Sequence, residues 1–146
     1  MFGAASSVLA VTLLGGCAWG PSSADHAAAD HVATALDEAA SGVAVATVVV
    51  ELVGQGRTTT PVADVTLRDA IADVAGAQRT VADIVPTRDV AALRADAVQA
   101  VADALVAVAD ARAWVDGTSS DDEAGVARAL DDAARTIDAV GQDLGG

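Results

Sequence analysis

The chain of 146 residues carries 21 acidic side chains against 8 basic ones, all arginine, for a formal net charge of −13. Such an acidic chain repels phosphate backbones, whose binding depends on Lys and Arg contacts, so nucleic acid is excluded as a partner. The length fits one domain. The single cysteine leaves no second thiol for a disulfide or a thiolate metal cluster.

The N-terminal segment is uncharged from Met1 to Ala24 and has a short apolar core at Val8–Leu14. An apolar stretch followed by small residues is typical of a secretory signal. The tetrapeptide Leu14-Gly15-Gly16-Cys17 resembles the lipobox of bacterial lipoproteins. The resemblance implies that the Cys17 thiol receives a diacylglyceryl group. It also implies cleavage between Gly16 and Cys17, which leaves the lipidated cysteine at the N-terminus.

Two other interpretations of this segment remain open. Its first 18–20 or so residues could span a bilayer as an uncleaved helix, although two glycines precede Cys17 and Gly20-Pro21 follows it. Cys17 could also be a buried cysteine of a soluble domain. We predict a signal peptide at 1–16, a lipid-anchored linker at 17–23 and a helical domain at 24–146. The protein would then be anchored to the cell membrane, facing outside the cytoplasm.

Four later segments repeat apolar residues or alanine at alternating steps of four and three, the spacing of a stripe along one side of a helix. The spacing predicts helices near 24–53, 61–85, 87–116 and 120–144. The four predicted stripes are Val32, Leu36, Ala39, Val43, Ala46, Val50 and Val53; Leu67, Ile71, Val74, Val81 and Val85; Ala97, Val101, Ala104, Val108, Ala111 and Val115; and Val126, Leu130, Ala133, Ile137, Val140 and Leu144.

Residues that start and stop helices separate the four segments. Pro61 suits the first turn of the second helix, and Pro86 ends it. Thr87 is the expected cap of the third helix, and Ser120 with Glu123 forms a capping box for the fourth. Short connections make neighbouring helices antiparallel, so the sequence predicts an all-α, antiparallel up-down four-helix bundle.

Three local sequence features leave alternative secondary structures open. The stretch Val43–Val53 is rich in β-branched residues and could form a strand by local preference. Ser41-Gly42 could bend or split the first helix, and Pro86 could kink a continuous helix instead of ending one. The stripe spacing and the lack of a partner strand favour helices throughout.

Aspartates recur every seven residues in the third segment, at Asp89, Asp96, Asp103 and Asp110. They could form an acidic face for cations or for a basic partner, but a solvated face is the favoured interpretation because charge runs usually are one. Successive members lie about 10 Å apart along a helix, too far to share one ion.

Residues for catalysis or metal binding are not apparent in the sequence. His26 and Asp30 are four residues apart, but metal sites need three or four ligands and the only other histidine, His31, points elsewhere on a helix. The chain has neither a nucleophile elbow nor a phosphate-binding glycine loop. We therefore predict no catalytic residue, no metal, no cofactor and no enzymatic activity.

Trp114, near the end of the third segment, is expected either to plug the end of the core or to contact a ligand or partner. The leading hypothesis for function is a membrane-anchored, non-enzymatic envelope module that presents a helical face to a protein partner. The alternative is a carrier in which alanine-lined seams separate to admit a small apolar ligand, with Trp114 at the mouth.

Overall fold

The computed structural model describes residues 23–88 and 90–144, which form four α-helices. The helices are α1 (Ser23–Gly54), α2 (Thr60–Asp83), α3 (Ala91–Val115) and α4 (Glu123–Leu144). The predicted all-α four-helix bundle is confirmed. Within the described ranges there is no strand, and α1 runs unbroken through Val43–Val53. The strand alternative for that stretch is therefore wrong.

Each helix packs against its neighbours in sequence, and α4 closes the bundle against α1. The two pairs of helices that face each other diagonally across the bundle are separated by different distances. Helices α1 and α3 contact each other and form the short diagonal, whereas α2 and α4 have no Cα atoms within 8 Å of each other among the described residues and form the wider one. Small side chains explain the short diagonal. The buried face of α3 alternates alanine with valine, and alanine lets two backbones approach closely. On the helices of the wider diagonal, Leu67 of α2 and Leu130 of α4 are fully buried.

The predicted stripes of α1, α3 and α4 form the core. Every predicted member on these three helices is buried except Val53 and Leu144, which are partly buried and pack against the core from the helix ends. The regular steps of three and four therefore located the packing face of three helices correctly.

The predicted stripe of α2 is partly wrong. The helix buries a face that alternates alanine with larger residues, while Ile71 is only half-buried and Val85 is 84% exposed beyond the helix end. Pro86 explains the position of Val85, because the residue before a proline is biased away from helical backbone angles. The buried residues of α2 are Ala63, Leu67, Ala70, Val74, Ala77 and Val81.

The connection between α2 and α3 is longer than predicted. Residue Pro86 lies within it and does not kink a continuous helix, and α3 begins at Ala91 instead of 87. The N-cap of α3 is Val90, which makes no side-chain capping bond. Thr87 therefore does not cap α3, and its buried Oγ1 has no hydrogen-bond partner among the described residues. The Arg94 guanidinium donates to the carbonyl oxygens of Val81 (3.1 Å) and Ala82 (2.6 Å) and so ties α3 to the end of α2.

The start of α4 also differs from the prediction. The carboxylate of Asp122 accepts a hydrogen bond from the Gly125 N–H at 2.7 Å, and α4 begins at Glu123. Asp caps helix N-termini as well as Ser does, so the capping box at Ser120 is wrong and the cap lies two residues later. The Glu123 carboxylate favours this end electrostatically, where the helix dipole is positive.

Gly42 marks a close approach of α1 and α2. A Cβ atom added there would lie 2.5 Å from Val74 Cγ2 and 3.3 Å from the Ala70 carbonyl oxygen. Both distances are shorter than ordinary contacts, so α2 occupies the space of the missing side chain. Ser41-Gly42 therefore serves helix packing and does not split α1.

Candidate interaction surface

The residues predicted for lipidation and cleavage, Gly16 and Cys17, lie outside the described residues. Trp114 is half-buried near the end of α3 and packs against the core. Its carbonyl oxygen accepts a hydrogen bond from the Gly117 N–H at 3.0 Å, in the turn that ends the helix. A contact of Trp114 with a ligand or partner stays a prediction.

His31 is exposed on α1 and lines a shallow groove with Thr80 and Asp83 of α2 and with Ile84, which follows that helix. Across residues 23–88 and 90–144, no group of three or more His, Cys, Asp or Glu side chains is arranged to hold a metal ion. No helix in these ranges is both long enough and apolar enough to cross a membrane.

A groove of about 350 Å³ lies between α3 and α4. Each helix contributes four residues at positions i, i+3, i+4 and i+7, which places them on one side of the helix. Alanines form the floor, and their short side chains leave a depression between the two backbones. The lining residues are Asp103, Val106, Ala107 and Asp110 of α3 and Ala129, Asp132, Ala133 and Thr136 of α4.

An exposed valine and three carboxylates give this groove its chemical character. Val106 is 59% exposed, with Asp103 one turn before it and Asp110 one turn after it. Asp103 accepts a hydrogen bond from Gln99 Nε2 at 2.8 Å, and Asp132 is ion-paired with Arg135. Asp110 has no ion-pair partner among the described residues. No arginine of the described residues therefore neutralises the negative charge on the α3 side of the groove.

Grooves of similar volume, about 320–360 Å³, lie between α1 and α2 and between α1 and α4. None of them is lined by a large apolar side chain as exposed as Val106. Exposed valines also occur on the outer faces of α1 and α2, but they lie outside these grooves. Scattered exposed apolar residues are normal on a protein surface. The α3–α4 groove therefore stands apart in combining shape, apolar surface and charge.

The aspartates of the predicted series have different surroundings in the structure. Asp96, Asp103 and Asp110 are all exposed on α3, as expected for a solvated face. Asp103 and Asp110 also line the groove, whereas Asp96 does not, and Asp89 lies outside the described residues. Sequence reasoning missed Val106 and the α4 side, because a groove depends on which faces of two helices meet. The paired i, i+3, i+4, i+7 patterns were the only available signal.

A second charged cluster joins α2 to α3. Asp64 Oδ1 lies 2.7 Å from Arg112 Nε, and Asp64 Oδ2 lies 2.5 Å from Arg68 Nη2. The hydrogen bond from Arg112 is the main reason that the pKa of Asp64 lies below its ordinary value of 3.8. The charges of Arg112 and Arg68 act in the same direction, and partial burial opposes them. Both partners of the Asp64–Arg112 contact are satisfied, which indicates a structural role.

Comparison of the chain with protein-family models, with the curated proteins and with the solved structures gave no match.

Proposed function

We propose that the protein is a bacterial envelope lipoprotein, tethered through Cys17, whose helical bundle is a non-enzymatic interaction module for a protein partner. The motif Leu14-Gly15-Gly16-Cys17 supports the tether. The beginning of α1 at Ser23 supports it too, since only a short linker would separate the lipid from the folded bundle. Two or more acyl chains give durable anchoring.

The α3–α4 groove is the observation that carries the interaction part of this proposal. Its apolar floor and exposed Val106 fit the apolar side chains of a docked segment, and Asp103 and Asp110 fit basic residues flanking them. Helix-in-groove recognition uses apolar anchors at steps of three and four. The partner is therefore expected to present a basic amphipathic helix.

Lipidation is tested by the intact mass of full-length protein extracted from membranes. We expect a mass that corresponds to loss of residues 1–16 and addition of acyl chains at Cys17. The Cys17→Ala variant should leave the detergent-rich phase or accumulate as an unprocessed precursor. Unchanged mass and unchanged partitioning of the variant would refute lipidation.

The groove is tested with a photo-crosslinking amino acid at position 106 of the full-length protein in intact cells. We expect one stoichiometric adduct whose crosslinked peptide contains apolar residues flanked by Lys or Arg. The control carries the same crosslinker at Val48, which is 54% exposed on α1 and lies outside the groove. No adduct specific to position 106, or a neutral or acidic crosslinked peptide, would refute the groove as the docking surface.

Charge variants on α3 sharpen this test. Asp103→Asn and Asp110→Asn together should reduce the adduct by about threefold to tenfold and weaken its salt dependence, because rim charges mainly steer association. Asp96→Asn, on the same helix but outside the groove, is the matched control and should leave the adduct unchanged. The alternative of a small-ligand carrier stays a prediction that no feature of the described residues specifically favours.

A further inference from the structure

Where α1 passes into α2, the chain carries three consecutive threonines, Thr58, Thr59 and Thr60, directly before Pro61. We call residues 58–60 the threonine run. Thr59, Thr60 and Pro61 are exposed, and Thr58 is half-buried. Segments that combine clustered Ser or Thr with proline are typical of O-glycosylated chains. The hydrogen bonding of the hydroxyl groups shows whether the fold itself needs these threonines.

The fold leaves the hydroxyl groups of the threonine run unused. Within residues 23–88 and 90–144, none of the three side chains forms a hydrogen bond. Thr59 is the N-cap of α2, a position at which a threonine normally accepts a bond from a backbone N–H of the first turn, yet it makes no such bond. By contrast, six other threonines each donate to a backbone carbonyl oxygen four or five residues earlier: Thr34, Thr47, Thr66, Thr80, Thr118 and Thr136.

A second run of hydroxyl side chains, at 118–120, provides a comparison. Thr118 Oγ1 donates to the Ala113 carbonyl oxygen at 3.1 Å, and Ser119 Oγ accepts a hydrogen bond from the Asp121 N–H at 3.1 Å. No proline adjoins this run, and two aspartates follow it. These hydroxyl groups shape the turn between α3 and α4. The threonine run has no such structural role, although it too connects two helices.

We propose that the threonine run is an O-glycosylation site with Thr59 as its main acceptor. Thr59 has extended backbone angles, φ −97° and ψ 149°, and lies just before α2, whereas Thr60 is already part of that helix. The inference rests on the proposed lipoprotein anchor, because the anchor places the bundle outside the cytoplasm. The donor is therefore a hexose carried on a membrane-bound polyprenyl phosphate, and not a cytoplasmic nucleotide.

The transfer is a substitution at the anomeric carbon of the hexose. Thr59 Oγ1 forms a bond to that carbon, and the bond from the carbon to the phosphate oxygen breaks. Polyprenyl phosphate leaves with the electron pair of the broken bond, and a base of the transferase takes the hydroxyl proton. No group is oxidised or reduced, and the threonine supplies only its oxygen.

The folded bundle has room for a glycan at this position. Helix α1 has 32 residues, so its last turn lies about 48 Å along the helix from Ser23, at the end opposite to the linker. Val62, three residues after Thr59, is 59% exposed. A glycan on Thr59 therefore extends into solvent away from the membrane and covers part of an exposed apolar side chain.

The test is mass spectrometry of the full-length protein extracted from the membranes of its native cells. We expect intact masses that exceed the mass of the lipidated chain by one or more hexose units. Trypsin cleaves after Arg57 and Arg68, so one peptide, 58–68, contains the threonine run together with Thr66. Thr66 donates to the Val62 carbonyl oxygen and serves as the internal control. Fragmentation of this peptide should place the hexose on Thr59 and none on Thr66.

Two multiple variants give the matched comparison. Thr58→Val, Thr59→Val and Thr60→Val together should abolish every hexose-containing mass. Thr118→Val, Ser119→Ala and Ser120→Ala together, in the second hydroxyl run, should leave those masses unchanged. Circular dichroism shows that each protein is folded.

The anchor and the glycan are read from different mass increments, so their failures are distinguishable. Lipidated protein whose peptide 58–68 has its unmodified mass would overturn the glycosylation site and leave the anchor standing. Hexose on Thr66 or at 118–120 instead of the threonine run would also overturn it. Phosphate in place of hexose on this peptide would overturn the proposed donor. Protein with unmodified Cys17 and no hexose would overturn both proposals.

Discussion

At the scale of single residues, Gly42 shows how closely this bundle is packed. Glycine in a helix is normally unfavourable compared with alanine, by about 1 kcal/mol. At position 42 it is required, because Val74 and the Ala70 carbonyl of α2 occupy the volume of a β-carbon. At Gly76, on α2, the only atom within 4 Å of an added Cβ is Arg79 Nη2 at 3.9 Å. The two glycines thus offer a matched comparison.

We expect Gly42→Ala and Gly76→Ala to have opposite effects on the free energy of unfolding. Gly76→Ala should raise it by about 0.5–1 kcal/mol through helix propensity. Gly42→Ala should lower it relative to Gly76→Ala by about 1–3 kcal/mol, the usual cost of overpacking. Urea denaturation followed by circular dichroism measures both. Equal stabilisation by the two substitutions would show that α1 and α2 are not in contact at Gly42.

At the scale of elements, the α2–α3 pair is held by polar contacts at both ends in addition to the core. Arg94 bonds to the last carbonyl groups of α2 at one end, and Arg112 bonds to Asp64 at the other. Because the Arg112 hydrogen bond lowers the pKa of Asp64, we expect the contribution of this contact to stability to depend on pH.

The sign of this dependence follows from proton linkage. A carboxylate with a lowered pKa in the folded state stabilises the fold above its ordinary pKa of 3.8, and this contribution is lost as the pH falls through the lowered value. We expect the wild-type protein to lose more stability than Asp64→Asn between about pH 5 and pH 2. Asp96→Asn, an exposed position on α3, is the control and should follow the wild type. Parallel pH profiles for the wild type and Asp64→Asn would contradict the contact.

At the scale of the whole molecule, all four helices share one core. Leu67 of α2 and Leu130 of α4 are fully buried in it, although no Cα atoms of these two helices lie within 8 Å of each other among the described residues. Replacing a buried leucine by alanine typically costs about 2–5 kcal/mol. The core therefore predicts one cooperative unfolding transition that both substitutions shift.

We expect Leu67→Ala and Leu130→Ala each to lower the unfolding midpoint while circular dichroism and Trp114 fluorescence remain coincident, as two-state unfolding requires. The experiment uses a Trp19→Phe background so that the fluorescence reports on α3 alone. Leu144→Ala, at the partly buried end of α4, is the control and should cost clearly less. Separate transitions for the two probes in Leu130→Ala would mean that α4 unfolds independently.

The sequence predicted most of this architecture because the packing faces of α1, α3 and α4 carry valine, leucine or isoleucine at steps of three and four. The face of α2 was misplaced because its seam uses Ala63, Ala70 and Ala77, and an alanine in a seam looks the same as an alanine on the surface. The helix starts were shifted because Ser120, Asp122 and Thr87 are all good caps, and local preference does not choose among neighbours.

The candidate site was less predictable than the fold. The aspartates of α3 were visible in the sequence as a series. The position of Val106 in a groove was not, because that groove exists only where α3 packs beside Ala129 and Ala133 of α4. Val85 was expected in the core and lies on the surface because the chain leaves α2 before Pro86. Both cases depend on tertiary geometry that single-chain periodicity does not contain.

The short α1–α3 diagonal limits how this protein can diverge. Both helices bury alanines, such as Ala39 of α1 and Ala104 of α3, and any substitution of these alanines other than by glycine adds volume. Added volume would push the two helices apart and widen every neighbouring interface at once. In related chains, substitutions should therefore be more frequent at solvent-facing positions. A larger side chain on one helix of the α1–α3 diagonal should be accompanied by a smaller side chain opposite it on the other.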